Sequence, residues 1–520
     1  MKNIKELMYH KKITMRNIYM FVVMLISTSS FSQLTYIPNS SFEEKLIYLG
    51  YDSGPIDHYV PTANISGVTS LTLDFIGSVT GIEDFVSLTE LHIYNYSLQS
   101  LNLSQNIALK TLTLDISGYE LHTLDLSSNT ALTTLDLYSN TLNNVNFSNN
   151  TALTKLTLGA GFFGSTIYHF DVSPLVGLTD FRLYGNVTSI DLSTNTLLQK
   201  VDIRTFDAPL TTLNLASNTL LTDLSIDSPV ANDDFLSNHP LLENLYVKSN
   251  SILEIDASVA PNLKSVRINS ESLNHLNVEQ NSVLDSLSVD ALQMRAINLT
   301  NSPHLTYLYL RGGYTSLDLS QNHTLKSLAL SRVTLPTLDL SQNQLLEKMT
   351  LYSSQQLQHL DLSSNTALTR LDIYNNYQLA ALDLRNGNNQ NIQYAHIGLN
   401  PMLTCVYVDN KNANYLLNTE IWSAGFSGSY VNNEADCSLG ISNKLQPFAS
   451  VYPNPVKNTL YIETTNNSIP ETIIISDATG KVIEQVKNTS QIDVSSYETG
   501  LYFMSFPFSE KKVTVKFIKM

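Results

Sequence analysis

Short acidic and amide side chains recur along this 520-residue chain at fixed spacing, and they are the first groups that could do chemistry. Asn102, Asp125, Asn146, Asp171, Asp191, Asn214, Asp256, Asn277, Asn298, Asp318, Asp339, Asp361 and Asp383 each stand between two apolar residues in a string of the form L-D-L-S-x-N. Such uniformity points to a structural role, because short polar side chains bond to nearby backbone groups. A cation ladder is the competing reading: Asp318, Asp339, Asp361 and Asp383 would stack about 5 Å apart on adjacent strands. Like charges that close raise one another's pKa values or recruit a cation. The structural role is the expectation, with no metal site and no cofactor assigned.

A second set of strings, L-x-x-L-x-L, carries variable residues between its apolar positions. The pairs are His92/Tyr94, Asp136/Tyr138, Arg182/Tyr184, Asp202/Arg204, Tyr246/Lys248, Arg267/Asn269, Tyr309/Arg311, Thr350/Tyr352, Asp372/Tyr374 and Tyr407/Asp409. Tyr offers amphipathic contact area at low entropic cost and Arg offers forked hydrogen bonds; both are enriched at recognition surfaces. The candidate ligand-binding residues are therefore Tyr94, Tyr138, Arg182, Tyr184, Arg204, Tyr246, Arg267, Tyr309, Arg311, Tyr352 and Tyr374. Tyrosines in this pattern suit stacking on a sugar or packing on a protein.

Catalytic motifs are absent: there is no Gly-x-Ser-x-Gly, no phosphate-cradling Gly-Lys-Ser/Thr loop and no His-Glu-x-x-His. His92, His122, His239, His304, His323 and His359 fall at differing points of the repeat, which suits solvated or edge roles. Asp233 and Asp234 read as an exposed turn. A polysaccharide-degrading enzyme on a parallel β-helix is the alternative, since glycosidases need two carboxylates at a set separation. The regular Leu frame and the lack of long inserted loops count against it.

The two strings alternate with a period of about 21.6 residues between Leu101 and Leu382. Each L-x-L is a short strand with one inward face. A unit that small cannot bury its apolar face alone, so neighbours must stack. The frame at Leu132, Leu135, Leu137, Asn140 and Leu142 resembles the leucine-rich repeat family. Asn186, Asn250 and Asn376 repeat the family's Asn, whereas Gly161, Pro229 and Gly313 replace it elsewhere. The resemblance covers roughly 85–410. It implies that the variable residues point out from a concave sheet, which is the usual binding face of that family. The expected fold is mainly β: a parallel leucine-rich-repeat solenoid of about 14 repeats of 20–25 residues, a short helical N-cap and a small antiparallel β-sandwich.

The ends have other characters. Residues 1–32 carry a net charge of +4, residues 33–447 a net of −20 and residues 448–520 a net of zero, out of −16 for the chain. Lys11, Lys12 and Arg16 precede an apolar run from Ile18 to Ile26, and Ser30 and Ser32 stand before a cut at Gln33. That is the pattern of a secretory signal, too short to span a bilayer. In that oxidising context Cys405 and Cys437 are expected to form a disulfide. Ser40 with Glu43, or Ser41 with Glu44, is the expected capping box of an N-cap helix ended by Gly50. Trp422 is the expected plug of the C-terminal cap.

The last 70 residues alternate as short strands punctuated by Pro-Asn-Pro, Asp-Ala-Thr-Gly and Glu-Thr-Gly. Tyr452-Pro453-Asn454-Pro455, Gly480-Lys481-Val482, Gly500-Leu501-Tyr502 and the basic Lys516–Lys519 end resemble the C-terminal sorting domain of the type IX secretion system. Thr499 stands where that family has Pro. The resemblance implies passage across the outer membrane, type IX secretion machinery as a partner, and secretion or surface attachment by way of the periplasm. The expected organisation is 1–32 signal peptide, 33–85 N-terminal cap, 86–410 solenoid, 411–447 C-terminal cap and linker, and 448–520 sorting domain. Acidity and the lack of a basic stripe exclude nucleic acid as a partner, and no transmembrane helix is expected in the mature chain. A protein or glycan of unknown identity is the expected ligand.

Overall fold

The computed structural model describes residues 33–520 except 95–97, 117, 119–120, 143–144, 160–169, 207–208, 231–232, 419–420, 426–427, 439–448, 465–471, 479 and 508–511. The expected signal at 1–32 lies outside the described residues. The chain divides into two compact units, 1–333 and 334–520, and about 16 solenoid turns are present in all.

In the first unit, strands of five or six residues run from Ser70–Asp74 and Glu90–Tyr94 through to Tyr307–Arg311 and Ser327–Ser331. Every neighbouring pair among them is parallel and in register, as in Leu135↔Leu156↔Phe181 and Leu245↔Val266↔Leu287. Alternation sets which residues lie inside. In Asp180–Tyr184, Phe181 and Leu183 are buried while Asp180, Arg182 and Tyr184 face out. Each buried Leu, Ile, Val or Phe contributes about 1.5–3 kcal/mol relative to exposure. A ladder of such residues from every turn is the core. Three-residue strands form a second, shorter ladder, as in Ser189–Asp191 with Thr212–Asn214 and Glu254–Asp256 with His275–Asn277.

In the second unit the long strands are Lys348–Tyr352, Arg370–Tyr374, Tyr394–Gly398 and Trp422–Gly425. The short ladder there is His359–Asp361, Ala381–Asp383, Cys405–Tyr407 and Ser429–Val431. Parallel strands therefore begin at Ser70 in the first unit, ahead of the expected boundary at 86, and in the second unit they run past 410. Tyr407 stands opposite Asp383 in the short ladder, so the pair Tyr407/Asp409 does not belong to the variable face.

Two polar ladders hold the turns. At all thirteen Asp/Asn positions the side-chain Oδ1 accepts a bond from the backbone N–H two residues on, for example Ser127 to Asp125 and Ser341 to Asp339, each at 2.9 Å. The backbone and hydroxyl groups of the following Ser hold the carboxyls of Asp125, Asp171, Asp191 and Asp339 below the usual range. This is the reverse of mutual like-charge repulsion, and it places the ladder in a structural role.

The second ladder lies four residues further on. Asn106, Asn129, Asn150, Asn195, Asn218, Asn281 and Asn365 are fully buried. Each Nδ2 donates to two carbonyls of the preceding turn; Asn129 reaches Leu103 and Asn106, both at 3.0 Å. The family's Asn position is thus not the main spine of this chain: the last residue of L-D-L-S-x-N is. His239 takes the same place in one turn, fully buried, with Nδ1 at 3.1 Å from the Asn218 carbonyl and Nε2 at 2.9 Å from that of Phe235. The solvated role expected for His239 is therefore wrong.

Caps close the ends. The N-terminal helix, Ser40–Tyr48, is capped by Asn39, whose side chain accepts from the Phe42 N–H, and not by Ser40 or Ser41. Glu43 is buried and accepts from the Asp57 and His58 N–H groups at 2.7 and 2.9 Å, which fastens the following loop. Phe42 stacks on Phe85 beneath it. In the second unit Cys405 and Cys437 are disulfide-bonded, Arg385 pairs with Glu434 at 3.1 Å and Lys411 with Asp436 at 2.7 Å. These three links fasten the short helix Glu434–Ser438. Trp422 is buried between Tyr415 and Tyr430.

The tail packs a three-stranded sheet (Ala449–Tyr452, Thr459–Thr464, Gln491–Asp493) and a four-stranded one (Ile473–Asp477, Val482–Val486, Gly500–Pro507, Lys512–Lys519), all antiparallel. Their shared core includes Val456, Leu460, Ile475, Met504 and Phe517. Asn454 of the Pro-Asn-Pro segment donates to the Lys516 carbonyl at 3.1 Å and accepts from the Ile518 N–H at 2.9 Å, so it clamps the last strand. Tyr502 stacks on Phe517 and its hydroxyl donates to the Glu498 carbonyl. Gly480, at φ +87, takes the left-handed position of the Asp477 turn.

Candidate functional site

The variable residues share one face because period-2 strands in perfect register bring equivalent positions side by side, about 4.8 Å apart. In the first unit one row reads Arg182, Asp202, Ser225, Tyr246, Arg267, Ser288, Tyr309. A second reads Tyr94, Asp115, Tyr138, Gly159, Tyr184, Arg204, Asp227, Lys248, Asn269, Asp290, Arg311. In the second unit Tyr352 and Tyr374 are paired across Lys348–Tyr352 and Arg370–Tyr374. All eleven candidate residues face outward; Tyr94 and Tyr352 are 40% and 41% exposed.

Their local chemistry differs along the face. Tyr138 lies over Gly159 of the next strand, where an added Cβ would come within 2.2 Å of the ring. Only glycine leaves the ring that place. Tyr184 donates its hydroxyl to Asp202 at 2.9 Å, and burial together with that carboxylate pushes its pKa up to about 12. Asp202 also accepts from Ser225 at 2.7 Å and Arg204, and Arg204 rests 5.3 Å from the centre of the Tyr184 ring. Arg182 pairs with Asp180 at 3.1 Å, and Arg311 with Asp290 at 2.6 Å. An open depression of about 570 Å³ spans the strands from Asp180 to Arg267. Its walls include Asp180, Lys200, Asp223 and Asn244, which stand two residues before Arg182, Asp202, Ser225 and Tyr246. They were missed although the same alternation places them on the outward face.

The second unit carries an aromatic row. Tyr352 and Tyr374 stack with ring centres 5.9 Å apart and planes 4° apart, and Tyr374 stacks on His396 at 5.1 Å. Asp372 holds His396 by its Nδ1 at 3.0 Å, and Arg370 lies 4.3 Å from the centre of the Tyr394 ring. His396 and Tyr394 were not among the candidates because their turn lacks an L-x-L string to mark it, and Arg370 stands two residues before the Asp372/Tyr374 pair of its own string. Among the described residues no group of three or more His, Cys, Asp or Glu is arranged to hold a metal.

Comparison with known proteins bears on the two parts separately. Residues 450–520 match the family described as secretion system C-terminal sorting domain, which contains Pro453, Asn454, Pro455, Gly480, Gly500 and Tyr502. The chain therefore carries a type IX sorting domain after its parallel solenoid, and it is secreted or held at the outer-membrane surface. Among solved structures it is similar to the functional domain of InlJ from Listeria monocytogenes, at 18% identity and a TM-score of 0.38, over 94% of this chain and 99% of that one. It is also similar to an internalin, inlF, from the same organism, at 17% identity and a TM-score of 0.48, over 64% and 95%. A stretch of 101 residues is 26% identical to Beta-agarase A of Zobellia galactanivorans and spans 19% of each chain. No helix among the described residues is long and apolar enough to cross a membrane.

Proposed function

We propose that the chain is an exported, non-catalytic binding protein that takes a protein or glycan ligand on the outward face of its long-strand sheet. The observation that carries this reading is a contrast within the molecule. The Asp/Asn ladder is uniform, and its side chains are engaged by their own backbone at all thirteen positions. The long-strand face varies from turn to turn and presents Tyr and Arg to solvent. Residues 1–32 serve as the export signal, and the sorting domain delivers the solenoid to its site of action. The likeness to Beta-agarase A is confined to about a fifth of that enzyme, and binding needs no carboxylate pair of glycosidase geometry.

The test is capture on a glycan array and on immobilised surface proteins by the mature chain and by the double variant Tyr138→Ala/Tyr184→Ala. Capture weakens in the double variant while its melting curve keeps its shape. Equal capture by both proteins rejects this face. Release of reducing sugar from agarose by the parent chain rejects the non-catalytic reading.

A further inference from the structure

The cations of the first-unit face, from Asp180 to Arg311, are matched one by one with carboxylates. Arg182 has Asp180, Lys200 has Asp223, Arg204 has Asp202, Lys248 has Asp227, Lys264 has Glu243 and Arg311 has Asp290. Arg267 is the exception: among the described residues its guanidinium has no carboxylate and no hydrogen-bond partner, and it is exposed. In an acidic chain of net charge −16 an unmatched cation at the middle of a matched face is a departure from the local rule.

Its surroundings add a second observation. In its own row Arg267 follows Tyr246 and is followed by Ser288 and then Tyr309. Ser265 and Ser286 stand beside it in the preceding row, and Asn269 in the next. Two tyrosines about 14 Å apart, three strand spacings, thus bound a notch floored by small hydroxyl side chains, with one forked cation between them. Tyr246 and Arg267 also close one end of the open depression. No aliphatic side chain is exposed on the strands Asn244–Lys248, Ser265–Asn269, Ser286–Asp290 and Tyr307–Arg311. Between the tyrosines the floor is Ser265, Ser286 and Ser288, and Ser is under-represented among the hot spots of protein interfaces. Hydroxyl groups with aromatic walls suit sugar rings, and a free guanidinium takes two oxygens of a carboxylate or sulfate at once.

We propose that this notch binds an acidic polysaccharide, with Arg267 forked onto a uronate carboxylate or a sulfate ester and Tyr246 and Tyr309 flanking the sugar. The proposal rests on the binding face described above and names its ligand class. Other proteins and neutral glycans become outcomes of the test.

The mature chain is run in affinity electrophoresis through gels holding polygalacturonate, dextran sulfate or neutral dextran at about 0.15 M salt, where charges beyond about 8 Å are screened. The expected result is retardation by one or both acidic polymers and none by dextran; the polymer that retards tells carboxylate from sulfate. Arg267→Glu abolishes retardation, and Arg267→Lys weakens it at least about tenfold, because a lysine cannot fork. Lys155→Glu makes the same charge change on the same sheet at an exposed position away from the notch, and it leaves retardation unchanged. Equal loss in Lys155→Glu and Arg267→Glu, equal retardation by dextran, or no retardation by either acidic polymer overturns the proposal. If acidic polymers fail while Tyr138→Ala/Tyr184→Ala still loses capture of another array ligand, the face stands and the acidic ligand falls.

Discussion

Exchanging Asn129 for Asp tests the buried amide ladder by changing one atom's chemistry at nearly constant volume. Asn129 is fully buried, and its Nδ2 donates to the carbonyls of Leu103 and Asn106, each at 3.0 Å. A carboxylate has no proton for either carbonyl. Each buried acceptor stripped of its donor costs about 1–3 kcal/mol, so losing both costs about 2–6 kcal/mol. Burial also raises the new carboxyl's pKa. Protonation restores one donor, and the loss shrinks to about 1–3 kcal/mol in acid. The variant is therefore less damaged at low pH than at neutral pH. Asp125→Asn is the matched control four residues earlier: it keeps the Oδ1 that accepts from Ser127 and leaves the midpoint unchanged. Because solenoid stability is a sum of local and nearest-neighbour terms, the loss is read best by hydrogen exchange of amides 103–135, alongside urea unfolding followed by circular dichroism. A change below about 0.5 kcal/mol in Asn129→Asp, or equal changes in both variants, would refute the claim that the amides hold the turns together.

Three further outcomes follow from the same physics. Burial lowers the pKa of His239 below the usual 6.5. Its neutral form is favoured in the fold, so its contribution is full above pH 6.5 and declines as pH falls through that value toward the depressed one. His239→Asn removes this slope, so the fall of the melting temperature from pH 8 to 5.5 becomes smaller; an unchanged slope would contradict this. Replacing Cys405 and Cys437 together with Ser opens a link across 32 residues and lowers the stability of the C-terminal cap by about 3–4 kcal/mol, seen as faster proteolysis after Tyr407 with the first unit unaffected. Removing residues 450–520 leaves the solenoid inside the cell envelope, measured by fractionation; undiminished delivery to the surface or medium would contradict the sorting role.

The sequence shows the fold because its signals are periodic and redundant. Leu135 and Leu137 are legible as inward residues since every turn repeats them, and the Asp/Asn ladder could be read as structural from its uniformity. Alternation and turn residues mark tail strands at Leu460–Thr464, Thr472–Ser476, Lys481–Val486, Gly500–Ser505 and Val513–Ile518, within a residue or two of the observed bounds, but not Ala449–Tyr452 and Gln491–Asp493, which are too short to show a period. The buried amide spine was printed in every L-D-L-S-x-N string and still missed. One polar residue in six looks like another until burial separates Asn129 from Asp125. The N-cap went to Asn39 for a similar reason: Asn, Ser40 and Ser41 all cap, and only packing of Glu43 beneath the loop decides among them. At the face, composition picked out Tyr and Arg. Arg182 and Arg204 pair with carboxylates on their own strands, but Lys200, Lys248, Lys264 and Arg311 find theirs in the neighbouring turn, and so Arg267 stands apart only in three dimensions.

The most direct test of the account is a comparison of two variants for capture across one array of glycans and surface proteins. The first, Tyr246→Ala/Arg267→Glu, alters the variable face; the second, Asp125→Asn/Asp339→Asn, alters the structural ladder. Loss of capture in the first with full capture in the second is the predicted result. Full capture in the first with loss in the second would move the ligand to the Asp ladder and contradict the account.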